Sequence, residues 1–134
     1  MKTSWSKNWA KSSQRRKQRK YREQAPAHAR RKFLGAPLAK PLRKKHGMKT
    51  LPVRSGDKVK IVRGQYKGKE GKIDRVDTKK LKVFITGIER AKREGTNVLL
   101  PFHPSNVMIM ELDDKDARRM KKTTGTKPAK AATA

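Results

Sequence analysis

The chain has 134 residues, with 38 Lys and Arg against 11 Asp and Glu, a net charge of +27, no Cys and only 33% hydrophobic residues. The lack of Cys excludes a disulfide framework and a Cys-based zinc site, and no apolar run reaches the roughly 18 residues of a transmembrane helix. Like charge at this density opposes compaction, and a polyanion relieves it; nucleic acid is the abundant one and an anionic membrane surface the other.

The charge is unevenly spread. Residues 1–50 carry 17 bases and one acid, Glu23; residues 51–112 carry 14 bases and 7 acids together with most of the aliphatic side chains; residues 113–134 carry 7 bases and 3 acids. The expected organisation is a basic N-terminal extension with two short helices over 1–50, a folded body over 51–112, and a short C-terminal helix with a flexible basic tail over 113–134. The first stretch has no apolar signal-peptide core. It is basic and Ser-containing like an organelle transit peptide, but its basic character continues well past a cleavage point.

In chain order, Trp5 and Trp9 stand four apart, on one side of a helix if that segment is helical. They read either as a pair for bases or a protein, or as a local hydrophobic clasp. Arg15-Arg16-Lys17-Gln18-Arg19-Lys20-Tyr21-Arg22 has no apolar stripe, so alone it is expected to be disordered or a fraying helix. Against RNA it folds, with Arg15, Arg16, Arg19 and Arg22 on phosphates and Tyr21 stacked on a base. Helices are expected over 26–32, where Pro26 suits the first turn and Gly35 follows the end, and over 38–46, with Pro41 in the first turn and Gly47 as cap. Arg30, Arg31, Lys32, Arg43, Lys44 and Lys45 end these helices, where cations suit the macrodipole and reach phosphates. His28 joins them as a candidate contact.

From Val53 the pattern turns to period two. Val59 and Ile61 alternate with Lys58 and Lys60; Leu81, Val83 and Ile85 with Lys82 and Phe84; Val107 and Ile109 with Met108 and Met110. Ile73 and Val76 sit in a shorter stretch whose change of phase implies a bulge, and Val98 and Leu100 complete about five short strands. The fold class is mainly β, a small barrel. Gly56-Asp57 forms a turn, residues 64–71 join the first two strands, Thr78-Lys79-Lys80 is a basic turn, residues 89–97 form a long hairpin tip, and His103-Pro104-Ser105-Asn106 is a turn before the last strand.

Within the loop, Gly64 and Gly68 can take positive φ or let backbone approach a phosphate. Arg63, Tyr66, Lys67 and Lys69 surround them, a ring between bases suited to stacking and phosphate neutralisation; the competing reading packs Tyr66 on the barrel and leaves the lysines solvated. Lys58 and Lys60 project from the outer face of the first strand, and Arg54, Lys79, Lys80, His103, Ser105 and Asn106 complete the candidate RNA contacts. Arg90, Lys92 and Arg93 are interleaved with Glu89 and Glu94, so their field is weaker. His28, His46 and His103 are too dispersed for a metal motif, and no paired carboxylate, nucleophile elbow or P-loop is present, so neither a metal nor a catalytic role is expected. Asp113-Asp114-Lys115-Asp116 reads as a helix start, with Arg118, Arg119, Lys121 and Lys122 following it.

The run Gly56-Asp57-Lys58-Val59-Lys60-Ile61-Val62-Arg63-Gly64-Gln65-Tyr66-Lys67-Gly68-Lys69-Glu70-Gly71-Lys72-Ile73 resembles the KOW motif of ribosomal proteins and of transcription elongation factors. Before it stand Ala25-Pro26-Ala27-His28-Ala29-Arg30-Arg31-Lys32, Pro37-Leu38-Ala39-Lys40-Pro41-Leu42-Arg43 and Leu51-Pro52-Val53-Arg54. After it stand His103-Pro104-Ser105-Asn106-Val107 and Leu112-Asp113-Asp114-Lys115-Asp116-Ala117-Arg118. In this order, over about residues 25–122, the chain is similar to the family of universal large-subunit ribosomal protein number twenty-four, archaeal and eukaryotic branch. The resemblance implies an SH3-like barrel that binds the first domain of large-subunit ribosomal RNA, acts early in subunit assembly and sits near the exit of the peptide tunnel. It further implies a cytoplasmic, ribosome-bound protein with ribosomal proteins as neighbours, no cofactor, no membrane and no homo-oligomer. A KOW-type transcription elongation or regulatory factor is the alternative, although the chain lacks the second α/β domain that usually accompanies such modules. A DNA-compacting chromatin protein is the third reading.

Overall fold

The computed structural model describes residues 5–113 and Arg119. The helix start expected over 113–116, apart from Asp113 itself, lies outside the described residues, as do Arg118, Lys121, Lys122 and the tail.

The N-terminal extension is ordered in short pieces. Ser6 caps a 3-10 helix at Lys7–Lys11, its hydroxyl accepting from the Asn8 amide at 3.3 Å. Two helices follow, α1 at Arg15–Glu23 and α2 at Ala27–Phe33, the latter capped by the extended Pro26. A short strand, β1 at Gly35–Pro37, leads to α3 at Lys40–His46. This last helix has Pro in its first turn and ends at Gly47 in the left-handed region (φ 66°), whose N–H donates to the Arg43 carbonyl at 2.9 Å. It starts two residues later than the sequence led us to expect. Leu38 bridges to Ile109 and the Ala39 amide donates to the Ile109 carbonyl at 2.9 Å, which holds both residues extended. Trp5 and Trp9 do not share an α-helix: Trp5 precedes the 3-10 turn that contains Trp9.

The body is an antiparallel sheet of five strands. These are β3 at Lys58–Ile61, β4 at Glu70–Asp77, β5 at Lys82–Ala91, β6 at Asn97–Phe102 and β7 at Val107–Glu111, with β2 at Thr50–Pro52 paired to β1 in a separate two-stranded sheet. The order β6-β5-β4-β3-β7 and the apolar alternation make a small, mainly β, SH3-like fold. The expected bulge in β4 lies between Ile73 and Arg75.

Three local readings are corrected, and one pairing is added. Leu81 is not in a strand but in the turn before β5, with φ 55°. Residues 89–91 are not part of the hairpin tip: Glu89, Arg90 and Ala91 pair with Leu99, Val98 and Asn97, and the turn contracts to 92–96, closed by Lys92 N–H on the Thr96 carbonyl at 2.9 Å. This ladder runs on where most side chains of both strands stand in solvent, so no apolar alternation reports it. Glu70 and Gly71 belong to β4 rather than to the preceding loop. At Gly71 a Cβ would stand 2.6 Å from Ile85 Cγ2 and 2.8 Å from the Thr86 carbonyl oxygen, so only Gly lets β4 and β5 come together here. The pairing of β1 with β2, finally, involves strands of three residues, too short for periodicity to show.

The core takes Val59, Ile61, Ile73, Val83, Ile85, Ile88, Val107 and Ile109 from the sheet, and Leu34, Ala36, Leu38, Leu51 and Val53 from the chain before it. Leu34, Ala36 and Leu38 belong to the segment whose composition reads as a polar arm. Their few apolar side chains seal one side of the barrel next to β7.

One buried charge ties the far end of the chain to the body. Asp57 is fully buried and receives both outer nitrogens of Arg119, at 2.8 and 2.7 Å, plus the amides of Arg54 at 3.0 Å and Asp113 at 3.2 Å. Arg119 also donates to the Pro52 carbonyl at 2.7 Å. Beside this pair, Gly56 has φ 93°, and a Cβ there would stand 2.6 Å from an Asp113 carboxylate oxygen.

Candidate nucleic-acid interface

The loop between β3 and β4 is a tight backbone structure. Lys67 N–H donates to the Gly64 carbonyl at 3.1 Å, Gly68 N–H to Ile61 at 2.8 Å and Lys69 N–H to Tyr66 at 3.1 Å. Gly64 and Gly68 both sit at positive φ, 93° and 91°, and nothing lies within 4 Å of where a Cβ would stand. The glycines set the turn and leave open space over the backbone, while Arg63, Lys67 and Lys69 are exposed around them. Tyr66 is half-buried on the core, edge-to-face with Phe102 at 6.1 Å, and Lys69 Nζ lies 5.2 Å from its ring centroid. Protein neighbours thus already engage this ring, and the free chemistry of the loop is that of its cations.

Phe102 carries the surface on to His103. The His103 Nδ1 accepts from the Ser105 amide at 3.2 Å and lies 2.8 Å from the Ser105 hydroxyl, while Asn106 N–H donates to the His103 carbonyl at 2.9 Å. An accepting Nδ1 places the ring proton of neutral His103 on Nε2. Burial holds the His103 pKa below its ordinary value, and the charges of Lys82 and Arg22 push it the same way. Val83 pairs with Phe102, which sets Lys82 next to His103, and the charge of Arg22 on α1 acts on the same ring. Lys82 was not among the residues singled out from the sequence. Its place follows from the hairpin, where it pairs with Asp77 directly across the Lys79-Lys80 turn. Asp77 Oδ1 accepts from the Lys79 and Lys80 amides at 2.9 and 3.0 Å and shapes that turn. The Lys80 amide, foremost, holds the Asp77 carboxyl below its usual range against the opposing effect of burial, with help from the Lys79 amide and from the charges of Lys80 and Arg75.

Other candidates are placed elsewhere or occupied. Lys58 and Lys60 do project from β3, but each is 3.2 Å from a carboxylate, Glu111 and Glu70 respectively, and half-exposed. Arg43 Nε turns back onto the Leu38 carbonyl at 2.6 Å, while Lys44 and Lys45 are exposed at the end of α3. Arg54 is exposed beside the Asp57 turn. On α2, Arg31 and Lys32 are exposed, Arg30 donates to the Glu23 carbonyl, and His28 stands edge-on to Trp5 at 6.2 Å. Tyr21 is stacked on Trp5 (5.2 Å, 24°) and edge-on to Phe33 at 5.7 Å, and the Trp5 indole N–H donates to the Tyr21 carbonyl at 3.0 Å. Trp5, Tyr21, His28 and Phe33 form a clasp with one another, and Arg15, Arg16, Arg19 and Arg22 of α1 are exposed. Among the described residues no group of three His, Asp or Glu could hold a metal ion, and no helix is long and apolar enough to cross a membrane.

Fold and motif together define a class: a small SH3-like barrel of KOW type with basic extensions. The family of ribosomal proteins that comprises the eukaryotic L26 proteins and their archaeal L24 counterparts matches residues 12–124. The "Large ribosomal subunit protein uL24" of Korarchaeum cryptofilum (strain OPF8) is 46% identical over 109 residues, which cover 81% of this chain and 83% of that protein. The chain belongs to this family of large-subunit ribosomal proteins, whose members are structural, and as a member it is ribosome-bound in the cytoplasm. The matched family is ribosomal, so the transcription-factor reading has no support from it.

Proposed function

We infer that the chain is a structural constituent of the large subunit that binds large-subunit ribosomal RNA, in its first domain, and assists early assembly close to the exit of the peptide tunnel. The observation that carries this reading is the set of exposed cations Arg63, Lys67 and Lys69 around the Gly-marked loop, with Lys82 placed next to His103 by the register of β5 and β6 and six exposed bases on α1. The loop's cations are exposed and Tyr66 already packs edge-on to Phe102, so the loop meets phosphates and RNA shape rather than base sequence. Exposed cations spread over a rigid barrel and a short helix release counterions when they meet a preformed RNA surface, and that release supplies the affinity. Neighbouring ribosomal proteins complete the setting.

The test is filter binding of the full chain to the transcribed first domain of large-subunit RNA. The double substitution Arg63→Glu, Lys67→Glu removes two cations and adds two anions at exposed positions. It should weaken binding by at least about tenfold and flatten the salt dependence by about 1.4–1.8 in log–log slope, with the urea midpoint of the free protein unchanged. Unchanged affinity would remove the loop from the interface.

A further inference from the structure

We propose that α1 is a wedge that fills a cleft walled by two RNA backbones, with phosphates on both of its flanks, rather than a rod lying on one RNA surface. This rests on the RNA-binding reading above and gives it a geometry.

The rotation of α1 about its axis is fixed. Gln18 and Tyr21 lie on one side of the helix, about 60° apart at 100° per residue. Tyr21 is stacked on Trp5, and the Gln18 amide donates to the carbonyls of Ala10, at 3.0 Å, and Ser12. That side is closed by the protein's own N-terminal turn. The rest of the helix carries six exposed bases: Arg15, Arg19 and Arg22 along one flank, Arg16 and Lys20 about 100° further round, and Lys17 beyond them. Together they span an arc of about 220° at the same 100° per residue. Lys20 leans over the Trp9 ring at 5.6 Å, so the second flank is also held in place from within the chain.

Two magnitudes choose a cleft over a surface. A helix with side chains is about 10–12 Å across, and charges are screened over about 8 Å at physiological salt. Phosphates on one flank therefore leave the cations of the other largely uncompensated, whereas walls on both flanks neutralise the whole arc. The helix end adds to this demand. The first turn holds Arg15, Arg16 and Lys17 with no acid, at the pole where the macrodipole already favours anions, and the Gln14 side chain makes no capping bond. In the free chain α1 opposes its own dipole, and phosphates on both sides of that first turn reverse the sign of the interaction.

The experiment uses the full chain and the same transcribed RNA domain. Two triple variants remove one flank each: Arg15→Gln, Arg19→Gln, Arg22→Gln and Arg16→Gln, Lys17→Gln, Lys20→Gln. Gln retains helix propensity, and neither variant touches Gln18 or Tyr21. Each variant should lower the log–log salt slope by about 2–3, and each should expose a different RNA strand to hydroxyl radicals. As a second readout the chain has no Cys, so Lys17→Cys takes a tethered iron–EDTA group at a single point; cleavage should fall on two RNA segments that are not contiguous. A full effect from one triple and none from the other, or cleavage of a single contiguous segment, overturns the wedge. Unchanged slopes in both triples also overturn it, while loss of binding in the Arg63→Glu, Lys67→Glu variant would leave the RNA-binding reading standing. Failure of the unaltered chain to bind this RNA overturns both.

Discussion

Arg119→Met breaks the buried ion pair with Asp57 from one side. Asp57 is fully buried, and its carboxylate holds four hydrogen bonds, two of them from Arg119. With Met at 119 the buried carboxylate keeps, among the described residues, the two backbone amides of Arg54 and Asp113. Breaking a buried pair from one side costs about 3–5 kcal/mol, a large part of the roughly 5–15 kcal/mol by which domains are stable. In urea, with an m value of about 1.5 kcal/mol per molar for a body of this size, the midpoint should fall by about 2–3 M. Urea is the right denaturant because the salt of guanidinium would mask a chain of net charge +27. The loss should hardly vary with added potassium chloride, since a buried pair is screened little. Asp57→Asn should cost about as much, and the double variant less than the sum of the two. A midpoint shift for Arg119→Met as small as that of a surface pair, about 0.5 kcal/mol or less, would refute the reasoning and make the contact incidental.

Gly71→Ala should destabilise by about 1–3 kcal/mol through overpacking against Ile85 and the Thr86 carbonyl. Gly64→Ala, strained only in φ, should cost about 1–2 kcal/mol, and a reversed order in urea titrations would contradict the close approach of β4 to β5. Trp5→Ala should remove the clasp on Tyr21, reduce helical circular dichroism and leave the barrel's unfolding midpoint within about 0.5 kcal/mol; a large midpoint shift would mean that the extension is integral to the core. His103 has a folded pKa below 6.5, so between those two values the unfolded chain binds more protons. Its contribution to stability is therefore present above that window and declines as the pH falls through it. RNA phosphates offset the charges of Lys82 and Arg22, so the pKa should rise on binding and affinity should increase as the pH falls; identical His103 proton titrations with and without RNA would contradict its place in the interface.

The parts of the fold that sequence displays are those with a local cause. Pro26, Pro41 and Gly47 mark two helices because each changes what its own backbone can do, and Val59, Ile61, Val107 and Ile109 show strands because one face of each is buried. The end of β5 at Glu89, Arg90 and Ala91 is silent because all three side chains are exposed. The pairing of β1 with β2 is silent because three residues hold no period. Asp57 reads as an ordinary turn residue after Gly56, since nothing local marks a partner as distant in sequence as Arg119. The candidate site divides in the same way. Gly64 and Gly68 proclaim a special loop, but the occupation of Tyr21 by Trp5, of Tyr66 by Phe102, and the arrival of Lys82 beside His103 depend on tertiary placement.

The seal between Leu38 and Ile109 also sets an order in time. During synthesis Leu34, Ala36 and Leu38 leave the ribosome that makes them some 70 residues before β7, a delay of roughly 4–14 s at about 5–20 residues per second. Throughout that interval the barrel lacks its last strand and these side chains have no closed core to enter. The basic extension, by contrast, needs nothing that comes later to meet a phosphate. On the RNA-binding reading proposed above, the extension is therefore competent to meet phosphate for some seconds before the barrel can close.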